Sequence, residues 1–256
     1  SQPVFPLGDM DAKNQLNVIE PVHKFVNTAP VAINDTAITS ETAILNVAAD
    51  SLLINDSDLD ATDNLTVIDF DAVSANGAAV NVNADGSYSY DPTGVASFDA
   101  LAAGEFTTDT FTYTVSDDTT TDTATVTITV NGTNDNSEVS QTLTNQSFED
   151  SQAISFDTAL GFSDVDASDV LTFSAIGLPT GLSIDSASGI ISGTIDNSAS
   201  QGGTNGVYAV IISATDGIAA PVQQEISFTI LNPAPVANDA DNSGNEDVVI
   251  SGTVSA

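Results

Sequence analysis

The sequence predicts an all-β protein built as tandem β-sandwiches, and three observations carry that reading. Short runs rich in Val, Ile, Thr and Phe alternate apolar with polar residues, separated by clusters of Asp, Asn, Gly and Ser. No long segment has the 3.6-residue period of a helix, and the abundance of Thr and Val disfavours one. Asn27-Thr28-Ala29-Pro30-Val31-Ala32 returns as Asn232-Pro233-Ala234-Pro235-Val236-Ala237, an offset of 232 − 27 = 205 that Glu41 and Glu246 share. The chain is therefore expected to hold a leader or donor-strand segment at 1–26, one sandwich at 27–135 and another at 136–234. Residues 235–256 would be the first strand of a further repeat, so the whole reads as an excerpt from a longer array.

In the first sandwich the strands are expected at Leu65–Phe70, Ala79–Val82, Ser87–Tyr90, Thr108–Ser116 and Thr123–Val130. Phe111, Tyr113 and Val115 alternate with threonines, as do Val126, Ile128 and Val130, so each set should face a core while the threonines face water. Asp117–Asp122 reads as the hairpin between those strands. Tyr88 and Tyr90 share a face and are expected in the core rather than as a sugar platform. In the second sandwich the runs are Ala153–Phe156, Leu171–Ala175, Leu182–Ile184, Gly189–Gly193, Val207–Ser213 and Glu225–Leu231. Gly161–Asp169 and Asn197–Gly206 read as loops.

Composition narrows the function. The chain has 256 residues and carries 36 acids against two lysines, Lys13 and Lys24, with no arginine, for a formal charge of −34. Such a chain repels nucleic acid and anionic membranes and attracts cations. It has no cysteine, hence neither disulfides nor thiolate metal sites. No apolar run is long enough for a membrane span, which takes about 18 residues. Ser1 is not an initiator methionine, which implies a processed leader or a fragment. The sole histidine, His23, lies in the atypical leader, so no nucleophile and base converge for catalysis.

The acids are not spread evenly. Asp56-x-Asp58-x-Asp60-x-x-Asp63 and Asp164-x-Asp166-x-x-Asp169 concentrate carboxylates at corresponding places. Two carboxylates ~5 Å apart repel by roughly 3 kcal/mol at an effective dielectric of about 20, so such a set needs a cation or raised pKa values. Oxygen ligands without His or Cys select Ca²⁺, although neither loop has the glycine and terminal glutamate of an EF-hand. A plain solubilising coat is the alternative. The joint Val130–Asn136 is short and rich in side-chain oxygen, which suits a linker stiffened by calcium rather than a flexible one.

Asp85-Gly86-Ser87-Tyr88-Ser89-Tyr90-Asp91-Pro92, then Phe111–Asp117 and Ala124–Asp135, resemble the bacterial cadherin-like repeats of large surface adhesins. Leu178-Pro179-x-Gly181-Leu182-Ser183-Ile184-Asp185, Ser188-Gly189-x-Ile191-x-Gly193 and Ala214-Thr215-Asp216-Gly217 resemble the dystroglycan-type cadherin-like domain. The resemblance implies tandem Ig-like/cadherin-like β-sandwiches with calcium between consecutive domains. For the joint between the two domains it implies Glu41, Asn134, Asp135, Asn136, Asp164, Asp166 and Asp216 as ligands, with Asp85 at the turn position. For the next joint it implies Glu149, Asp185, Asn238 and Asp239, although Ala187 stands where a second acid is expected. Asp56, Asp58, Asp60 and Asp117 would face whatever precedes the first domain.

The expectation is a non-enzymatic, extracellular, Ca²⁺-stiffened segment of a bacterial adhesin or surface fibre, a spacer in adhesion or biofilm at the cell surface. One alternative is a self-assembling filament subunit, with Gln15–Val26 donated as a strand to a neighbour and meeting Glu246–Val254. Another is a calcium-dependent carbohydrate-binding module. The partners implied are neighbouring repeats, other subunits or glycans, with no nucleic acid and no direct membrane insertion.

Overall fold

The computed structural model describes residues 26–234. The leader with Lys13, His23 and Lys24, nearly all of the expected donor strand, Asn238, Asp239 and the strand expected within 235–256 lie outside them.

The first domain contains β1 (Asp35–Ser40), β2 (Leu45–Val47), β3 (Thr66–Phe70), β4 (Ala79–Val82) and β5 (Tyr88–Asp91). A one-turn helix, α1 (Ala96–Asp99), precedes β6 (Phe106–Ser116) and β7 (Thr121–Asn131). One sheet runs β1-β7-β6-β3 and the other β2-β5-β4. The strand period does the sorting. Phe111, Tyr113 and Val115 of β6 and Val126, Ile128 and Val130 of β7 are all buried, while the threonines between them face outward. Tyr88 and Tyr90 are buried too, Tyr88 edge-on against Phe111 with ring centroids 5.5 Å apart, so neither offers a sugar platform. The hairpin is tighter than expected and β7 starts at Thr121, because Asp117 Oδ1 accepts the amide N–H groups of Thr119 and Thr120.

The second domain contains β8 (Glu138–Val139), β9 (Gln146–Glu149), β10 (Ala153–Asp157), β11 (Phe162–Ser163) and β12 (Thr172–Ile176). It continues with β13 (Leu182–Ile184), β14 (Ile190–Thr194), β15 (Val207–Thr215) and β16 (Val222–Leu231). Its sheets run β12-β15-β16-β9 and β10-β14-β13, with β8 and β11 as a separate pair. Val210, Ile212, Ile226 and Phe228 form the middle of its core. The stretch expected as a loop at Gly161–Asp169 begins with β11, a pairing too short to show a period. The strands β1, β2, β8 and β9 were not expected either; each is short or largely polar on its exposed side.

One feature of the topology positions everything below. In each domain the first long-sheet strand pairs parallel with the last, β1 with β7 and β9 with β16, whereas the other strand pairs are antiparallel. The residue leaving the first strand is thereby set beside the chain leaving the domain. Glu41 N–H donates to the Asn131 carbonyl at 3.0 Å, and Asp150 N–H donates to the Leu231 carbonyl at 3.0 Å. Glu41 and Asp150 hold the same place in the two domains.

Candidate metal centre at the joint

Glu41 is only 1% exposed. Its Oε1 accepts the amide N–H and the hydroxyl of Thr133, each at 2.7 Å, which ties the end of β1 to the linker. Its Oε2 is buried and has no donor. On the other side, successive turns fold the Asp164–Asp169 loop inward. Asp166 N–H donates to Asp164 Oδ1 at 3.1 Å and Asp169 N–H to the Asp166 carbonyl at 3.1 Å. Asp164, Asp166 and Asp169 consequently present carboxylate oxygens within 4.8 Å of one another.

The linker is held to this loop. Asp135 N–H donates to Asp166 Oδ2 at 2.7 Å, and Asn134 Nδ2 donates to Asp216 Oδ2 at 2.9 Å. Asp216 follows β15 and accepts the Ile218 and Ala219 amides on Oδ1. Those bonds, led by Ile218 and followed by Asn134, hold its pKa below the ordinary value. The two domains also touch directly: Ala167 N–H donates to the Ala100 carbonyl at 3.1 Å. Asn136 is exposed.

The joint lacks positive charge. Both lysines lie before residue 26 and the chain has no arginine, so no ion pair within the described residues can neutralise these acids. Burial raises the pKa of Asp135, and the charges of Asp166, Asp99 and Asp164 raise it further. Burial likewise raises Asp169, followed by Asp166, Asp164, Asp216 and Glu105. Buried oxygens of Glu41, Asn134, Asp164, Asp166 and Asp169 have no hydrogen-bond donor. Buried acceptors are normally satisfied, so a group of them at one place calls for a cation. The donor set is oxygen alone and mostly carboxylate, which fits Ca²⁺ and does not fit a soft or nitrogen-seeking metal.

Sequence reasoning missed two members of this neighbourhood. Asp99 ends α1 and Glu105 precedes β6, and both act electrostatically on the joint from the first domain. Asp85, expected at the turn position there, is elsewhere. It lies in the β4–β5 turn, accepts Ser87 N–H and Oγ–H, and its carbonyl pairs with Asp50 N–H. The β2–β5 pairing carries that turn to the opposite end of the domain from Glu41.

The N-terminal end of the first domain repeats the second half of the joint bond for bond. Asn27 Nδ2 donates to Asp117 Oδ2 at 2.8 Å, and Thr28 N–H to Asp60 Oδ2 at 2.7 Å. Asp60 N–H donates to Asp58 Oδ1 at 2.8 Å. Asp58, Asp60 and Asp63 gather as Asp164, Asp166 and Asp169 do, and Asp58 Oδ2 is likewise buried without a donor. Asp56 is not in this set. It accepts Ile33 N–H and meets the Tyr113 hydroxyl beside Asp35, because the loop turns rather than running extended. At the far end of the second domain Glu149 is exposed, and the place of Glu41 belongs to Asp150. Asp185 caps the β13–β14 turn through Ala187 and Ser188, at the end of that domain away from Asp150.

Residues 27–132 match the bacterial cadherin-like domain family, and residues 136–232 match the putative Ig domain family. The chain joins a bacterial cadherin-like domain to an Ig-like domain. No curated protein sequence matches it. Among solved structures, human Protocadherin-24 EC1-2 is 16% identical, with a TM-score of 0.51, and the likeness covers 82% of this chain and all of that one. Protocadherin Gamma B7 extracellular cadherin domains 1-4 are 15% identical over 86% of this chain, with a TM-score of 0.48. An endo-fucoidan hydrolase from glycoside hydrolase family 107 is 20% identical over 80% of this chain, with a TM-score of 0.33. The chain spans 56% of that protocadherin chain and 29% of the hydrolase. Identities this low speak for the fold alone. Cadherin-like domains generally bind Ca²⁺, are typically extracellular and non-enzymatic, and commonly contact neighbouring repeats. No helix among the described residues is long and apolar enough to cross a membrane.

Proposed function

We propose that this cadherin-like/Ig-like pair is an extracellular, non-enzymatic spacer of a bacterial adhesin or surface fibre, stiffened by calcium at the joint between its domains. The observation that carries the reading is the set of buried, donorless oxygens drawn from the first domain, the linker and the second domain, with no basic side chain among the described residues.

Glu41, Asn134, Asp135, Asp164, Asp166, Asp169 and Asp216 would hold the ion or ions, with Asp99 and Glu105 close by. Bound calcium would supply the positive charge that the described residues lack. The chain's own contribution is to present the oxygens in advance: Thr133 orients Glu41, Asp135 N–H orients Asp166, and Asn134 orients Asp216. Without the ion, carboxylates on both sides of the linker repel and the joint loosens. The matching cluster at Asp58, Asp60, Asp63 and Asp117 suits a preceding neighbour, as an array requires.

Small-angle scattering in calcium and in chelator tests this directly. The expected result is a longer, better-defined maximum dimension in calcium. An unchanged scattering curve, together with no calcium binding by titration calorimetry, would leave the acids as a solvated coat.

A further inference from the structure

The two domains carry an acid at the same topological place, and the two acids are treated differently. Glu41 leaves β1 beside the end of β7, is 1% exposed, and has one oxygen that no donor reaches. Asp150 leaves β9 beside the end of β16 and is 7% exposed. Both of its oxygens are used. Oδ1 accepts Ser200 N–H at 2.8 Å, and Oδ2 accepts the Ser200 hydroxyl at 2.6 Å.

The flanking loops differ in the same sense. In the cadherin-like domain the segment before β6 brings Asp99 and Glu105 toward the joint. In the Ig-like domain the segment before β15 holds the 3₁₀ turn Ala199–Gln201 and a single acid, Asp196. The Asp196 carboxylate is closed on its own turn, accepting Ser198 Oγ–H at 2.6 Å and Ser198 N–H at 2.9 Å. Those bonds hold its pKa below the ordinary value. Tyr208 pins the turn by donating to the Ala199 carbonyl at 2.8 Å. Calcium needs several oxygens free to turn toward it. Among the described residues, Asp150 and Asp196 already turn their oxygens to donors from within the domain.

We infer that Ser200 stands in for the cation at the far end of the Ig-like domain, so that Asp150 is a calcium-independent structural acid and the chain's calcium response does not extend to it. This rests on the calcium reading of the Asn134 joint, and it departs from the expectation of a second calcium cluster built on Glu149, Asp185, Asn238 and Asp239, the last two of which lie outside the described residues.

The test is calcium titration calorimetry and thermal melting of the full chain, as wild type, Glu41→Gln, Asp150→Asn and Ser200→Ala. Glu41→Gln should weaken or abolish a calcium site. Asp150→Asn and Ser200→Ala should leave the stoichiometry unchanged and the affinity within about two-fold. They should lower the melting temperature equally in calcium and in chelator, since a part-buried hydrogen bond to Asp150 is lost in both. A lost site, or an affinity drop of ten-fold or more, in either variant would overturn the inference even if Glu41→Gln behaves as stated. If Asp150→Asn fails to fold, the milder Ser200→Ala decides alone. A wild-type affinity in Glu41→Gln would instead count against the calcium joint and leave the Asp150 result separately readable.

Discussion

Asp135 N–H donates to Asp166 Oδ2 at 2.7 Å while the charge of Asp166 helps to raise the pKa of the Asp135 carboxyl. The backbone holds the linker and the loop together, and the side chains oppose it. Asp166→Asn should separate these effects. The amide oxygen can still accept Asp135 N–H, and the amide nitrogen replaces an oxygen that has no donor. In chelator the variant should melt at or above the wild-type temperature. In calcium it should melt below, because one carboxylate is gone. Calcium at extracellular-module strength, with Kd on the order of 10⁻⁴–10⁻³ M, stabilises by about 1.4 kcal/mol per site at ten times Kd. A ten-fold weaker site loses most of that. Asp50→Asn is the control, an exposed residue at φ 63° where asparagine is well accepted. Identical behaviour of the two variants would count against the ion.

The pH dependence without calcium has a definite sign. Asp135 and Asp169 are raised from 3.8, so the fold binds their protons more tightly than the unfolded chain does. Their contribution is fully present below about 3.8 and is lost as pH rises through the raised values. Asp117 and Asp216 are lowered from 3.8, and the stability they add is lost only as pH falls below that. The chelated protein should therefore gain stability as neutral solution is acidified toward the carboxylate range and lose it again at lower pH. Asp35 and Asp56, raised mainly by burial beside Tyr113, add to the same upper limb, which should flatten in Asp135→Asn and Asp169→Asn and shrink without vanishing at saturating calcium. A monotonic loss from pH 7 downward in chelator would contradict the raised pair.

Much of this was legible in the sequence, and the failures have physical causes. The alternation in Thr108–Ser116 and Thr123–Val130 fixed the core strands because burial on one face leaves a two-residue period. Spacing points to Asp164 and Asp166 and composition to the linker, the family resemblance adds Glu41 and Asp216, and the structure gathers Glu41, Asn134, Asp135, Asp164, Asp166 and Asp216 around the linker while Asn136 is exposed. Glu149 stands one residue away from the place of Glu41: the parallel pairing of β9 with β16, invisible to local pattern, puts Asp150 there. Grouping Asp56 with its neighbours requires an extended chain, and the loop turns instead. The equal spacings of Asp58, Asp60 and Asp63 and of Asp164, Asp166 and Asp169 were the better signal. Asp99 and Glu105 had no spacing rule to announce them, since the backbone of 101–105 alone brings them to the linker.

Tyr90→Phe measures the core independently of the joint. Tyr90 is fully buried and donates to Asp109 Oδ2 at 2.7 Å, while Asp109 Oδ1 accepts the amides of Asn76 and Thr110. Burial and Asp109 together push the phenol well above its usual range, so it stays a donor at any working pH. Removing the hydroxyl leaves a buried carboxylate oxygen unpaired, at a cost of about 1–3 kcal/mol. The fall in melting temperature should be the same in calcium and in chelator. A fall seen only in calcium would tie this network to the metal centre, contrary to its place in the core.

Gly132→Ala tests whether the loop before β6 belongs to the calcium joint. Gly132 N–H donates to the Glu105 carbonyl at 2.9 Å. A Cβ there would run into the backbone of Leu101 and Ala102, which cannot rotate aside as a side chain would. The loop must shift, at about 1–3 kcal/mol for an overpacked contact. It carries Asp99, Glu105 and the Ala100 carbonyl that accepts Ala167 N–H from the other domain. Calcium affinity should therefore fall although no ligand has been removed, and the chelated scattering curve should broaden. Gly77→Ala is the matched control. Its φ of +104° is strained for alanine, but nothing lies within 4 Å of the added carbon, and its turn bonds to Thr108, Asp109 and Thr110 of β6 rather than to the linker. That variant should lose stability with an unchanged calcium isotherm. Equal isotherms for both variants would show that the loop is a bystander and that the ion is held by Glu41, the linker and the second domain alone.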